Sequence, residues 1–135
     1  MGYELIYRVD LGSAHSPFRV VAQPERREVA WINHFLDQCM VRGLSWHTLR
    51  GYAFSLIHFI RWWVERHCTE EVTAQALTDS SLLDYLRYLA HQEPPPAANT
   101  INKNVWVAER ALRCLFPAAA TQPLRPPFTT FFWRK

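Results

Sequence analysis

The chain has 135 residues, room for one domain of ordinary size plus flanking segments. Hydrophobic residues make up 49% and charged residues 20%, a balance that excludes a wholly disordered chain. A formal charge of +3 does not by itself identify a nucleic-acid partner, but its distribution is uneven. From Pro94 onward six basic residues (Lys103, Arg110, Arg113, Arg125, Arg134, Lys135) face one acidic residue, Glu109, so this stretch carries +5 and the part before it −2.

Cys39, Cys68 and Cys114 are odd in number and widely spaced, without a C-x-x-C pair, so neither a disulfide framework nor a zinc site is expected. The histidines His34, His58, His67 and His91 have no ligand-like spacing, and no metal or other cofactor is expected. The amino-terminal sequence lacks the basic and apolar succession of a secretory signal. The longest apolar stretch, Tyr52 to Val64, is broken by His58 and Arg61 and falls short of the roughly 20 residues that span a bilayer. The expectation is a soluble cytoplasmic protein with no membrane partner.

Residues 1–24 read as a loosely structured lead-in, in which Leu5-Ile6-Tyr7 and Phe18-Arg19-Val20-Val21 could form short strands. From Pro24 the pattern becomes helical. The first helix is expected over Glu25–Arg42, with Glu25 and Glu28 in its opening turns and Gly43 ending it. Val29, Ile32, Leu36, Cys39 and Met40 form its apolar face. The second is expected from the cap Ser45 to about His67, with Leu49, Tyr52, Ala53, Leu56, Phe59, Ile60, Trp63 and Val64 inward. His47, Arg50, His58, Arg61 and Glu65 take its opposite side.

A third helix, capped by Thr78 or Asp79, turns Leu82, Leu83, Leu86 and Leu89 inward, and Pro94-Pro95-Pro96 blocks its continuation. A fourth begins near Asn99 or Thr100 and runs to Phe116, burying Ile101, Val105, Ala108, Leu112, Leu115 and Phe116. Lys103, Trp106, Arg110 and Arg113 lie on its other arc. Residues 118–135, together with Pro117, hold four prolines and read as an extended linker or tail. Phe128, Phe131, Phe132 and Trp133 suit a segment that packs on a further domain or a partner. The fold expected from this pattern is all-α, a four- to five-helix bundle.

The run Gly43-Leu44-Ser45-Trp46-His47-Thr48-Leu49-Arg50-Gly51-Tyr52, continued by Leu56, Phe59 and Trp62-Trp63, resembles the opening of the second helix in the core-binding domain of tyrosine recombinases, the phage-integrase family. Asn99-Thr100-Ile101-Asn102-Lys103 through Ala111-Leu112 is similar to a later helix of that domain, and Val72-Thr73 through Leu86 to the segment between. The resemblance covers about residues 25–117. It implies a SAM-like helical core-binding domain that grips double-stranded DNA for a separate catalytic domain. It also implies DNA recombination or integration as the parent activity, self-association on DNA, and a cytoplasmic, nucleoid-associated location.

Carried onto this chain, the resemblance makes Ser45, His47, Thr48 and Arg50 DNA-facing at the start of the second helix. Thr100, Asn102, Lys103 and Arg110 take the same role on the fourth. A helix amino end presents free N–H groups and the positive end of its dipole to phosphate, and a side chain such as Asn102 suits a base edge.

No catalytic residue is expected within these 135 residues. His47-Thr48-Leu49-Arg50 spells His-x-x-Arg, but it lies in the binding segment. None of Tyr3, Tyr7, Tyr52, Tyr85 and Tyr88 follows the fourth helix as the family's nucleophile would, and the last three suit packing. Other readings stay open: Arg50 and Arg61 as solvated surface, Thr48 as part of the capping turn, Trp106 as core. A protein-interaction bundle docking a partner through the aromatic tail is the alternative to DNA binding.

Overall fold

A computed structural model describes residues 2–119. The described residues divide into two compact units, 2–61 and 62–119, and the division falls within one helix.

The first unit opens with strands β1 (Tyr3–Tyr7), β2 (Phe18–Ala22) and β3 (Arg27–Glu28). They form an antiparallel sheet in the order β1-β2-β3, with Tyr3 opposite Ala22, Tyr7 opposite Phe18, and Val21 opposite Glu28. The all-α expectation is therefore corrected: the chain is mixed α/β, and its amino-terminal segment is a packed sheet. The short strands suggested at Leu5–Tyr7 and Phe18–Val21 do form, within β1 and β2, but two features kept their packing into a sheet from view. The strands are short, and the central one is buried nearly throughout, so the run Val20-Val21-Ala22 shows no alternation.

The first helix, α1 (Ala30–Val41), starts later than the sequence pattern suggests, because Arg27 and Glu28 pair with β2. Arg26, at φ +60°, turns the chain between β2 and β3. Glu28 therefore faces cations of the sheet, Arg19 at 2.7 Å and Arg8 at 3.4 Å, and plays no part in the helix dipole. At the other end, Gly43 adopts φ +90°, its N–H bonds the Met40 carbonyl, and the Leu44 N–H bonds the Cys39 carbonyl. This pair of bonds is a Schellman cap, which needs a residue free to enter the left-handed region.

Helix α1 is stitched to β2 by polar groups. Asn33, 1% exposed, accepts from the Val20 N–H at 2.8 Å and donates to the Val20 carbonyl at 3.0 Å. Arg19, also buried, bridges Asp37 of α1 and Glu28 of β3. Asp37 additionally accepts from the Ser16 N–H at 2.9 Å and meets His15 Nδ1 at 3.1 Å.

Helix α2 (Trp46–His67) supplies Leu49, Ala53, Leu56, Phe59 and Ile60 to the core as its apolar spacing requires. Trp31 meets Phe59 edge-on, and Phe35 stacks with Tyr52 at 6.2 Å, so α1 and α2 pack through aromatic pairs.

In the second unit, the end of α2 is followed by a 3-10 turn (Ala74–Leu77), α3 (Asp79–Ala90) and α4 (Ala98–Leu115). Helices α3 and α4 pack on each other and on the turn. Trp62 and Tyr85, both buried, have ring centroids 5.0 Å apart. Trp63 stacks on His67 at 3.7 Å and donates its indole N–H to the Glu71 carbonyl, which closes the turn after α2.

Thr78 caps α3 by accepting from the Ser81 N–H. Leu82 and Leu89 point inward as expected, but Leu83 is exposed and Tyr85 takes the inward place between them. The positions 82, 85 and 89 share a face at three- and four-residue steps, while 83 is rotated about 100° from 82. Burial, and to a lesser degree Tyr88, push the Tyr85 hydroxyl well above the usual tyrosine range, so this group stays a neutral phenol that packs.

Candidate nucleic-acid interface

Ser45, His47, Thr48 and Arg50 come together at the amino end of α2. The Ser45 hydroxyl accepts from the Thr48 N–H at 3.1 Å and donates to the Thr48 hydroxyl at 3.0 Å, while the Ser45 carbonyl takes the Leu49 N–H. Ser45 is thus the cap, and Thr48 is engaged in the capping turn. Backbone N–H groups of Trp46 and His47, in the first turn, precede the intrahelical ladder and point outward along the helix dipole. His47 is exposed, and Arg50, on the next turn, is exposed with its guanidinium 4.9 Å from the Phe54 ring centroid. An anion at this helix end meets backbone donors first and the Arg50 charge one turn later.

The second group lies on α4. Its helix begins at Ala98, one residue earlier than the first start suggested by the sequence, and Ala97 stands at the cap without a side-chain bond. The first-turn N–H groups, Ala98 to Thr100, therefore have no side-chain cap, and Thr100 is exposed beside them. Lys103 and Arg110 are exposed on one arc, two turns apart. Arg110 lies 4.6 Å from the Trp106 ring centroid, so a half-buried indole shields one side of its guanidinium. Asn102 sits about 100° around the helix from Lys103 and is half-buried, at the edge of the arc. Arg113 pairs with Glu109 at 2.9 Å, and Glu109 is itself buried. That pairing consumes the acid of this region internally and leaves Lys103 and Arg110 to set the sign of the exposed arc.

Sequence reasoning missed three aromatic side chains beside the first group. Trp46 is 51% exposed, Tyr7 53% and Phe54 41%; Tyr7 meets Trp46 edge-on at 6.1 Å and Phe18 at 5.3 Å. The available signal was position: Trp46 stands in the first turn, ahead of Leu49 where the buried stripe begins. A second omission is a cleft of about 540 Å³ in the second unit, lined by Arg66, His67, Ser80, Ser81, Asp84 and Arg87 among others. Asp84 already engages Arg66 at 2.8 Å there, which reduces its pull on a further anion.

Among the described residues no group of three or more His, Cys, Asp or Glu side chains is placed to hold a metal ion, and no helix is long and apolar enough to cross a membrane. Cys39 is buried, while Cys68 and Cys114 are exposed, and none of the three is in a disulfide. The tail residues Phe128, Phe131, Phe132 and Trp133 lie outside the described residues. Comparisons of the chain with protein-family models, with curated proteins and with solved structures return no match.

Proposed function

We propose that this chain is a double-stranded DNA-binding module that works as the gripping part of a tyrosine recombinase and leaves DNA cleavage to a separate catalytic domain. The observation that carries this reading is a pair of exposed cationic helix segments. One is the α2 amino end with His47 and Arg50; the other is the α4 arc with Lys103 and Arg110. Both combine a helix amino end with a cation on a following turn, the arrangement that suits backbone phosphates. The motif order read from the sequence supports the recombinase part of the proposal, and the mixed α/β fold replaces the all-helical form first expected. Partners on this reading are duplex DNA, the parent's catalytic domain and further copies assembled on DNA, in a cytoplasmic, nucleoid-associated setting.

The experiment is a fluorescence-anisotropy titration of a labelled random duplex at about 50 and 200 mM salt. Neutralising several phosphates releases counterions, so affinity falls about tenfold or more over that range. Arg50→Glu and Lys103→Glu each weaken binding and flatten the salt dependence. Unchanged duplex affinity in both variants rejects this surface, and no binding at low salt rejects duplex DNA as the partner.

A further inference from the structure

Trp46, Arg50 and Phe54 follow one another along α2 at four-residue steps, so they mark a ladder about 12 Å long on one flank of the helix. Its rungs alternate aromatic, cation, aromatic. Tyr7 of β1 widens the first rung by meeting Trp46, and Phe18 of β2 backs Tyr7. Both Tyr7 and Trp46 keep about half their surface open to solvent, and Phe54 keeps 41%. Exposing several large aromatic groups side by side is costly in water, and core packing does not require it, because the buried stripe of α2 is complete without them.

The charge beside the ladder selects its occupant. Arg50 lies over the Phe54 ring, 4.9 Å from its centroid, and His47 and the α2 amino end flank Trp46. An uncharged protein helix would gain nothing from that cation. A strand of nucleotides would gain twice, because its phosphates meet Arg50 and the helix end while its bases stack on the rings. A paired duplex hides its base faces in the stack, so the aromatic rungs have no use on intact duplex alone.

We infer that the Tyr7–Trp46–Phe54 flank of α2 binds unpaired bases of a single-stranded nucleic acid, with Arg50 and the α2 amino end holding the strand's phosphates. This inference rests on the proposal that the α2 end is a nucleic-acid surface, and it adds a preference for opened strands.

The test uses the full chain and labelled probes of about 12 nucleotides, a length in the range of known single-strand sites. The probes are a thymidine DNA strand, a uridine RNA strand, an abasic strand of equal charge, and a duplex. The thymidine strand binds about tenfold more tightly than the abasic strand, since stacking contributes on that scale for each base engaged. Trp46→Ala and Tyr7→Ala each remove most of that discrimination, and Trp46→Phe restores it. Equal affinity for thymidine and abasic strands in the unmodified chain overturns the inference without recourse to any variant. So does a concentration-dependent dimer that Trp46→Ala abolishes, if base discrimination is absent, because the patch is then an interface between copies. Discrimination by the thymidine and uridine strands alike assigns the site to bases as such; discrimination by one assigns it to DNA or RNA. Duplex binding without base discrimination leaves the proposed function standing and removes only this addition. Base discrimination without duplex binding does the reverse.

Discussion

In residues 2–61 the apolar core is accompanied by a buried guanidinium and a buried amide, Arg19 and Asn33, and by the half-buried carboxylates of Glu28 and Asp37, which tie the sheet to α1. In residues 62–119 two tryptophans, a tyrosine and leucines are buried together, and the buried polar residues Asn104 and Glu109 both lie on α4. Arg19, Asn33, Asp37 and Glu28 bond in fixed directions, so they dictate which strand residue meets which turn of α1. Trp62, Tyr85, Leu82 and Leu89 act through area and tolerate small shifts. The difference teaches how a three-stranded sheet this short keeps one register: β3 contributes only two residues, and the polar side chains supply the specificity that a longer ladder would otherwise give.

The comparison can be broken at its strongest point on each side. Trp62→Ala removes a buried indole and leaves a cavity, at a cost of about 4 kcal/mol. Urea unfolding followed by circular dichroism reads this directly. Arg19→Met costs about 3 kcal/mol, because Asp37 and Glu28 lose their shared cation while remaining partly buried. An Arg19→Met loss below about 0.5 kcal/mol would mean that the polar set is dispensable and that hydrophobic burial secures both units alike. Asn33→Ala follows at about 2 kcal/mol, since the Val20 N–H is then buried without an acceptor. Amide hydrogen exchange sharpens the point: the Val20 amide should lose protection more than its neighbours in β2.

The two units also differed in how openly their sequences stated them. Ser45 and Thr78 cap where their residue type and position say they should, because a capping hydroxyl acts on the next turn and needs no distant partner. The apolar spacing of α2 likewise located most of its buried residues, while on α4 it found Val105, Ala108 and Leu112 but missed Asn104, Val107, Glu109 and Ala111. The strands β1 and β2 were legible as short apolar runs, but their pairing was not, because ten residues separate them and β3 reads as the polar start of a helix. Glu28 is the instructive residue: a carboxylate just before an apolar run suits a helix opening, yet the buried Arg19 offers it a stronger partner. In the candidate site, the exposed cations were legible from helical periodicity. The aromatic ladder was not, because Tyr7 reaches Trp46 only through the sheet.

Gly43 offers a smaller effect that separates backbone conformation from packing. Nothing lies within 4 Å of a Cβ added there, so Gly43→Ala meets no clash and its cost is that of holding alanine at φ +90°. The expected loss is about 1 kcal/mol by urea unfolding. Gly43→Asn should lose less, since asparagine tolerates the left-handed region better. Equal losses for the two would show that the cap is not the source. Because this turn leads directly into Ser45, a larger loss in duplex affinity than in stability would tie the cap to the placement of the α2 end.

The smallest effect concerns pH and again lies in the first unit. Partial burial, and then the neighbouring Arg61 charge, lower the pKa of His58 below its ordinary value near 6.5. Arg61 is fixed there by its bond to the Tyr3 carbonyl at 3.0 Å, so the repulsion is built into the junction of α2 with β1. The unfolded chain takes up this proton as pH falls through about 6.5, and the folded chain resists it. Folded stability therefore declines as pH drops through that value toward the lowered folded pKa, and the contribution is fully present above it. His58→Gln removes the titration while keeping a polar group, so the difference in urea midpoint between pH 7 and pH 5 should shrink. An unchanged or larger difference would place the acid sensitivity elsewhere.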